Sequence, residues 1–133
     1  MRRLKISMPS VGQVYAEISD DAPLTAKAIW DALPIESTAS TWGDEIYFTI
    51  PVQLELENAK EVVNPGDLGY WPPGRAFCIF FGPTPVSRGS EIRAASPVNI
   101  FGRLIDDPRI FKKSTNGDRI LLERVNFKKN CRS

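Results

Sequence analysis

The run Ala76-Phe77-Cys78-Ile79-Phe80-Phe81 constrains this chain more than any other segment. Strand side chains alternate between two faces. Phe77, Ile79 and Phe81 therefore share one face, and Ala76, Cys78 and Phe80 the other. A strand that is apolar on both faces must be covered on both. One face belongs to a core. The other lies under a loop, a helix, a partner or a ligand, and a groove is the expectation there. Turn-forming residues bracket the run, with Pro72-Pro73-Gly74 before it and Gly82-Pro83-Thr84-Pro85 after it.

The rest of the chain reads as more short strands. Residues 3–8 and 11–18 form a hairpin turned at Met8-Pro9-Ser10-Val11-Gly12. Ile46, Phe48 and Ile50 alternate with Glu45, Tyr47 and Thr49, and Val52, Leu54 and Leu56 continue the alternation beyond Pro51. Proline cannot donate to a ladder, so Pro51 should bend or interrupt that strand. Further strands are expected at 68–71, 97–105 and 119–125. One clear helix is predicted over about 22–33. Asp20 and Asp21 precede it, Pro23 sits in its first turn, and Ala26, Ile29, Trp30 and Leu33 form one apolar stripe, with Trp30 plugging one end of the fold. A second, short helix is predicted over 107–112, opened by Asp107 and Pro108. Eight or nine short strands with one good helix suit a closed antiparallel barrel, which also removes exposed sheet edges.

Length and composition narrow the function. The chain has 133 residues, 42% hydrophobic and 25% charged, and one domain over 1–133 is expected. Its net charge of +1 gives no general pull toward nucleic acid or acidic lipid, so neither partner is expected. There is no histidine, which removes His-dependent triads, His-based zinc sites and imidazole bases. The carboxylates Asp44, Glu45, Glu55, Glu57, Glu61 and Asp67 show no metal-loop spacing, and no phosphate-binding motif is present; no metal or cofactor is predicted. No apolar leader of secretory length follows Met1-Arg2-Arg3, and no run nears the ~20 apolar residues of a membrane helix. Cys78 reads as a small buried hydrophobe and Cys131 as a tail residue, with a disulfide between them only weakly suggested. The expected location is cytoplasmic.

Four segments together resemble the small prokaryotic cyclophilin-like domain family, a relative of the cyclophilin peptidyl-prolyl isomerase barrel. They are Thr41-Trp42-Gly43-Asp44-Glu45-Ile46-Tyr47-Phe48, Gly69-Tyr70-Trp71-Pro72-Pro73-Gly74, Cys78-Ile79-Phe80-Phe81-Gly82-Pro83-Thr84-Pro85 and Ala95-Ser96-Pro97-Val98-Asn99-Ile100-Phe101-Gly102. They run in the family's order across nearly the whole chain. The resemblance implies a closed eight-stranded barrel with helical caps. In true cyclophilins it further implies a pocket on the outer barrel face where an arginine hydrogen-bonds the prolyl nitrogen as the amide loses conjugation. Aligned on Pro51, that arginine's place falls on Phe48, or near Tyr47 if the register slips. No arginine occurs between Pro34 and Gly74, where Lys60 is the only cation. The family's pocket glutamine falls on Ala76 and its pocket phenylalanine on Cys78.

Three readings follow. The first is a barrel without catalytic residues that binds a small molecule or an extended peptide on its outer face through Glu45, Tyr47, Trp71, Pro72, Cys78 and Phe80. In that reading Glu45 and Tyr47 fix a polar group; the bland alternative is a solvated exterior. Trp71-Pro72-Pro73 forms a stiff aromatic wall, and Phe80 is the main apolar contact. The second is a weak prolyl isomerase with a rebuilt pocket, served by Arg75 or Arg93. The third is an interaction subunit or homodimer that buries the apolar outer strand against a copy of itself.

Overall fold

The computed structural model describes residues 2–125. The first hairpin forms where the alternation predicts it. Strand β1 (Arg3–Met8) buries Leu4, Ile6 and Met8, and β2 (Gly12–Ile18) buries Val14, Ala16 and Ile18. Their register sets Leu4 against Ala16 and Ile6 against Val14, so both apolar sets face one core. The remaining elements are α1 (Pro23–Ala32), β3 (Ile35–Thr38), β4 (Ser40–Thr41), β5 (Glu45–Thr49), β6 (Lys60–Val63), β7 (Asp67–Trp71), β8 (Ala76–Phe80), β9 (Ile92–Leu104) and β10 (Arg119–Arg124). Short 3-10 helices span Pro72–Gly74 and Pro108–Lys113. The second of these is the helix expected near 107–112, and Asp107 caps it by accepting from the Arg109 N–H at 3.0 Å. Among the described residues no helix is long and apolar enough to cross a membrane.

The sheet is antiparallel and mainly β as expected, but it is not a closed eight-stranded barrel. It has ten strands in the order β3-β10-β1-β2-β9-β7-β8-β5-β4, with β6 attached to β9 off that path. No strand ladder joins β3 to β4. Only Ala39 separates these two end strands, so the chain itself crosses the seam. Scattered bonds hold the seam instead: Ser37 Oγ donates to Thr49 O at 3.1 Å, Ala39 N to Asp118 O at 2.8 Å, and Thr41 N to Asn116 Oδ1 at 2.9 Å.

The rolled sheet encloses an aromatic core. Phe48 stacks on Phe77 with centroids 5.0 Å apart, and Phe77 meets Phe101 edge-on at 5.1 Å. Ala26 and Ile29 of α1 pack into the same core. Trp30 packs against that core from the helix. It is half-buried at the helix edge, where the guanidinium groups of Arg2 and Arg124 lie 5.4 and 5.6 Å from its ring.

The cap of α1 differs from the expectation as well. Asp20 and Asp21 make no side-chain cap. The carboxylate of Glu57 does so from a distant segment, accepting from Leu24 N at 3.0 Å and from Thr25 N at 2.8 Å. These bonds outweigh partial desolvation and hold the Glu57 carboxyl below its ordinary range. The segment around Glu57, residues 50–59, is not the strand that its alternation suggested. Side chains take the place of a ladder there. The Tyr70 hydroxyl donates to Val52 O at 2.6 Å and accepts from Leu54 N at 3.2 Å. Asn99, fully buried, donates to Glu55 O at 2.9 Å and accepts from Glu57 N at 2.7 Å. With those groups satisfied, the segment needs no partner strand.

Candidate functional site

The two-faced strand β8 lies between two apolar clusters. Phe77 and Ile79 join the main core. Ala76, Cys78 and Phe80 join a second cluster with Val63, Ile92, Ala94, Val98 and Ile100 on the outer face. The cover comes from the same chain: the first half of β9 passes over β8, supported by β6, which pairs Val63 with Ile92. Gly69 permits the close approach, since a Cβ there would come within 3.0 Å of Val98 and 3.3 Å of Phe80.

The cover is incomplete, and a cavity of about 280 Å³ remains beside β8. Strand register builds its floor by placing Tyr47 opposite Cys78 and Glu45 opposite Phe80. The rings of Trp42, Tyr47 and Trp71 line it together with Glu45 and Cys78, and Ala94, Ala95 and Val98 form the β9 wall. Trp71 is held on two sides. Its indole N–H donates to Ser96 Oγ at 2.7 Å, and its ring lies over Gly74, where a Cβ would come within 2.9 Å. Trp42 opens the tight turn into β5, its N–H donating to Glu45 O at 2.9 Å. That turn is docked on the segment after β8: Asp44 N donates to Pro83 O at 3.0 Å, and a Cβ at Gly43 would strike Pro85 at 2.8 Å.

Glu45 is the chemical centre of the cavity. It is only 6% exposed. Burial pushes its carboxyl up to about 7, opposed only by the neighbouring Cys78 thiol, and no cation offsets it among the described residues. Burial, then the Glu45 charge, pushes the Cys78 thiol well above its ordinary range, so Cys78 stays protonated, donating to Ala76 O at 3.9 Å, and is not a nucleophile.

The structure therefore gathers Glu45, Tyr47, Trp71 and Cys78 around one cavity. A solvated exterior, the bland alternative for Glu45, does not describe it. Phe80 is fully buried beneath the site, and Pro72 follows Trp71 in a half-exposed turn outside the lining. Trp42, Ala94, Ala95 and Val98 were not anticipated as lining residues. A large aromatic beside a turn glycine, as in Trp42-Gly43, was the available signal for the first. Of the two positions expected for the cyclophilin arginine, Phe48 is in the main core and Tyr47 lines the cavity. Arg93 pairs with Glu91 at 3.2 Å, Arg75 ends the Pro72–Gly74 turn, and neither lines the cavity. Thr84 is buried in a turn, its hydroxyl donating to Arg93 O. Cys78 is a free thiol; Cys131, its suggested partner, lies outside the described residues.

A wider hollow of about 590 Å³ lies near the start of α1, between Arg2, Glu17, Asp20 and Arg103. Its charges are of both signs and partly paired, Glu17 with Arg3 at 3.3 Å and Arg103 with Asp67 at 4.0 Å. It lacks the aromatic lining and the single uncompensated carboxyl of the β8 cavity. Among the described residues, no three Cys, Asp or Glu side chains gather as a metal site would require.

A rolled antiparallel sheet with its cavity on the outer face of β5, β7 and β8 defines a class of fold, and the chain belongs to the cyclophilin-like family, whose model matches residues 2–123. Among solved structures it is similar to the solution structure of the hypothetical protein AF2241 from Archaeoglobus fulgidus. The two are 45% identical, with a TM-score of 0.81 over 93% of this chain and 95% of that one. No functionally curated protein matches the chain significantly.

Proposed function

We propose that this protein is a binding module that holds a small molecule, or a side chain of an extended peptide, in the β8 cavity, without prolyl isomerase chemistry. One observation carries the reading: a buried carboxylate with no cationic partner among the described residues stands in an aromatic-lined cavity that is open to solvent. A buried charge without a partner is costly, and such groups concentrate at functional sites. Isomerase chemistry needs a donor aimed at the prolyl nitrogen. The side chains lining this cavity include no guanidinium. The homodimer reading rested on an uncovered apolar strand, whereas Ala76, Cys78 and Phe80 are covered by β9 and β6 of the same chain.

Native mass spectrometry of the purified protein tests the reading, with a retained small molecule expected and Trp71→Ala expected to lose it. In a protease-coupled assay on proline tetrapeptides no acceleration over the uncatalysed rate is expected. A rate enhancement that disappears in Tyr47→Ala would sink the non-catalytic reading.

A further inference from the structure

We infer that the cavity recognises an organic ammonium group, a protonated or methylated amine, which places its charge against the Glu45 carboxylate within the enclosure of Trp42, Tyr47 and Trp71. This inference rests on the binding reading above and adds the ligand's chemistry to it.

Three features converge on a cation. Aromatic rings attract ammonium groups through their negative faces, and the attraction grows when water is excluded. Three such rings line this one cavity. The only acidic side chain among them, Glu45, is more than nine-tenths buried and unmatched by a cation among the described residues. An anionic ligand would meet repulsion from it, and an apolar ligand would seal it into a still drier site. Size agrees. Sites for drug-sized ligands run to about 300–1,000 Å³. A cavity of about 280 Å³ suits a single head group.

Proton linkage distinguishes the ammonium from its main rival. With the carboxyl near 7 in the empty cavity, a cation ionises Glu45 on binding, and a proton leaves. Binding should then tighten as pH rises through that range. A ligand carbonyl would instead use the protonated carboxyl as a donor and bind more weakly over the same rise. The titratable groups facing Glu45 are the Cys78 thiol on β8 and the Tyr47 hydroxyl on its own strand; the β9 wall, Ala94, Ala95 and Val98, contributes none. The thiol is pushed away from that range by burial.

The test is isothermal titration with choline and its uncharged isostere 3,3-dimethylbutan-1-ol, in two buffers of different ionisation enthalpy. A trimethyl-lysine peptide is added as a third probe. Choline or the peptide should bind at least about tenfold more tightly than the isostere, with proton release near neutral pH. Whichever of the two binds better identifies the source of the ammonium, free or peptide-borne. Glu45→Gln, which keeps the volume, should remove the preference for the cation, weakening choline while the isostere binds no worse. If the isostere binds as well as choline, or Glu45→Gln leaves the preference intact, the ammonium inference is wrong while the binding reading stands. If neither the cations nor the isostere bind, and neutral fragments also leave Trp42 and Trp71 undisturbed, both are wrong.

Discussion

At about pH 8 the Glu45→Gln variant is expected to be more stable than the natural chain, by up to about 3 kcal/mol. The sign follows from proton binding. The folded carboxyl titrates near 7, against 4.5 for the ordinary group. Between those values the folded state holds a proton that the unfolded state has released. The natural chain therefore loses stability as pH rises through this window, and the loss is complete above it. The variant has no such slope. Urea unfolding across the window should give curves for the two proteins that coincide near its acid end and separate as pH rises. Parallel curves would show that Glu45 is not desolvated in the folded state. A side chain whose charge destabilises its own fold is not accounted for by what it packs against, and the proposed binding role supplies the reason for it.

Asn99→Ala works in the opposite direction, lowering stability by about 3 kcal/mol and the melting temperature by roughly 10 °C. Asn99 is fully buried, and its amide holds three groups from two separate segments: Glu57 N at 2.7 Å, Glu55 O at 2.9 Å and Thr25 Oγ1 at 3.0 Å. Alanine leaves all three without that partner. It also releases Glu57, whose carboxylate caps α1, so amide exchange at Leu24 and Thr25 should accelerate along with global unfolding. A loss below about 1 kcal/mol would mean that water replaces the amide and that residues 50–59 are not held in this way.

Much of this fold was legible because its main strands carry period-two patterns. β1, β2, β5, β8 and β10 appear within a residue or two of the alternating runs, and α1 matches its 3.6-residue stripe closely. The misreadings share a cause. β3, β4 and β6 are two to four residues long, and most of their side chains are polar or exposed, so they exist through their partners and not through their own pattern. Residues 52–56 have the pattern of a strand and are not one, because Tyr70 and Asn99 hold their backbone from far along the chain. The seam that leaves the sheet open turns on a single residue, Ala39, which no periodicity marks. At the site, the alternation of β5 correctly sent Glu45 and Tyr47 to the outer face. It could not reveal that β9 folds back over that face, which is what changes Glu45 from a surface carboxylate to a buried one. Trp42 was missed for the same reason, since a turn residue acquires its neighbours only when the hairpin docks on Pro83 and Pro85.

The chain's three tryptophans provide an internal comparison for binding at the β8 cavity. Trp42 and Trp71 line the β8 cavity, whereas Trp30 lies at the edge of α1 beside Arg2 and Arg124. Their indole N–H protons give three resolvable resonances, which can be followed while a fragment library rich in small amines is added. Fragments that bind should shift Trp42 and Trp71 together and leave Trp30 in place. Binding that moves Trp30 alone, or a library that moves none of the three, would contradict that expectation.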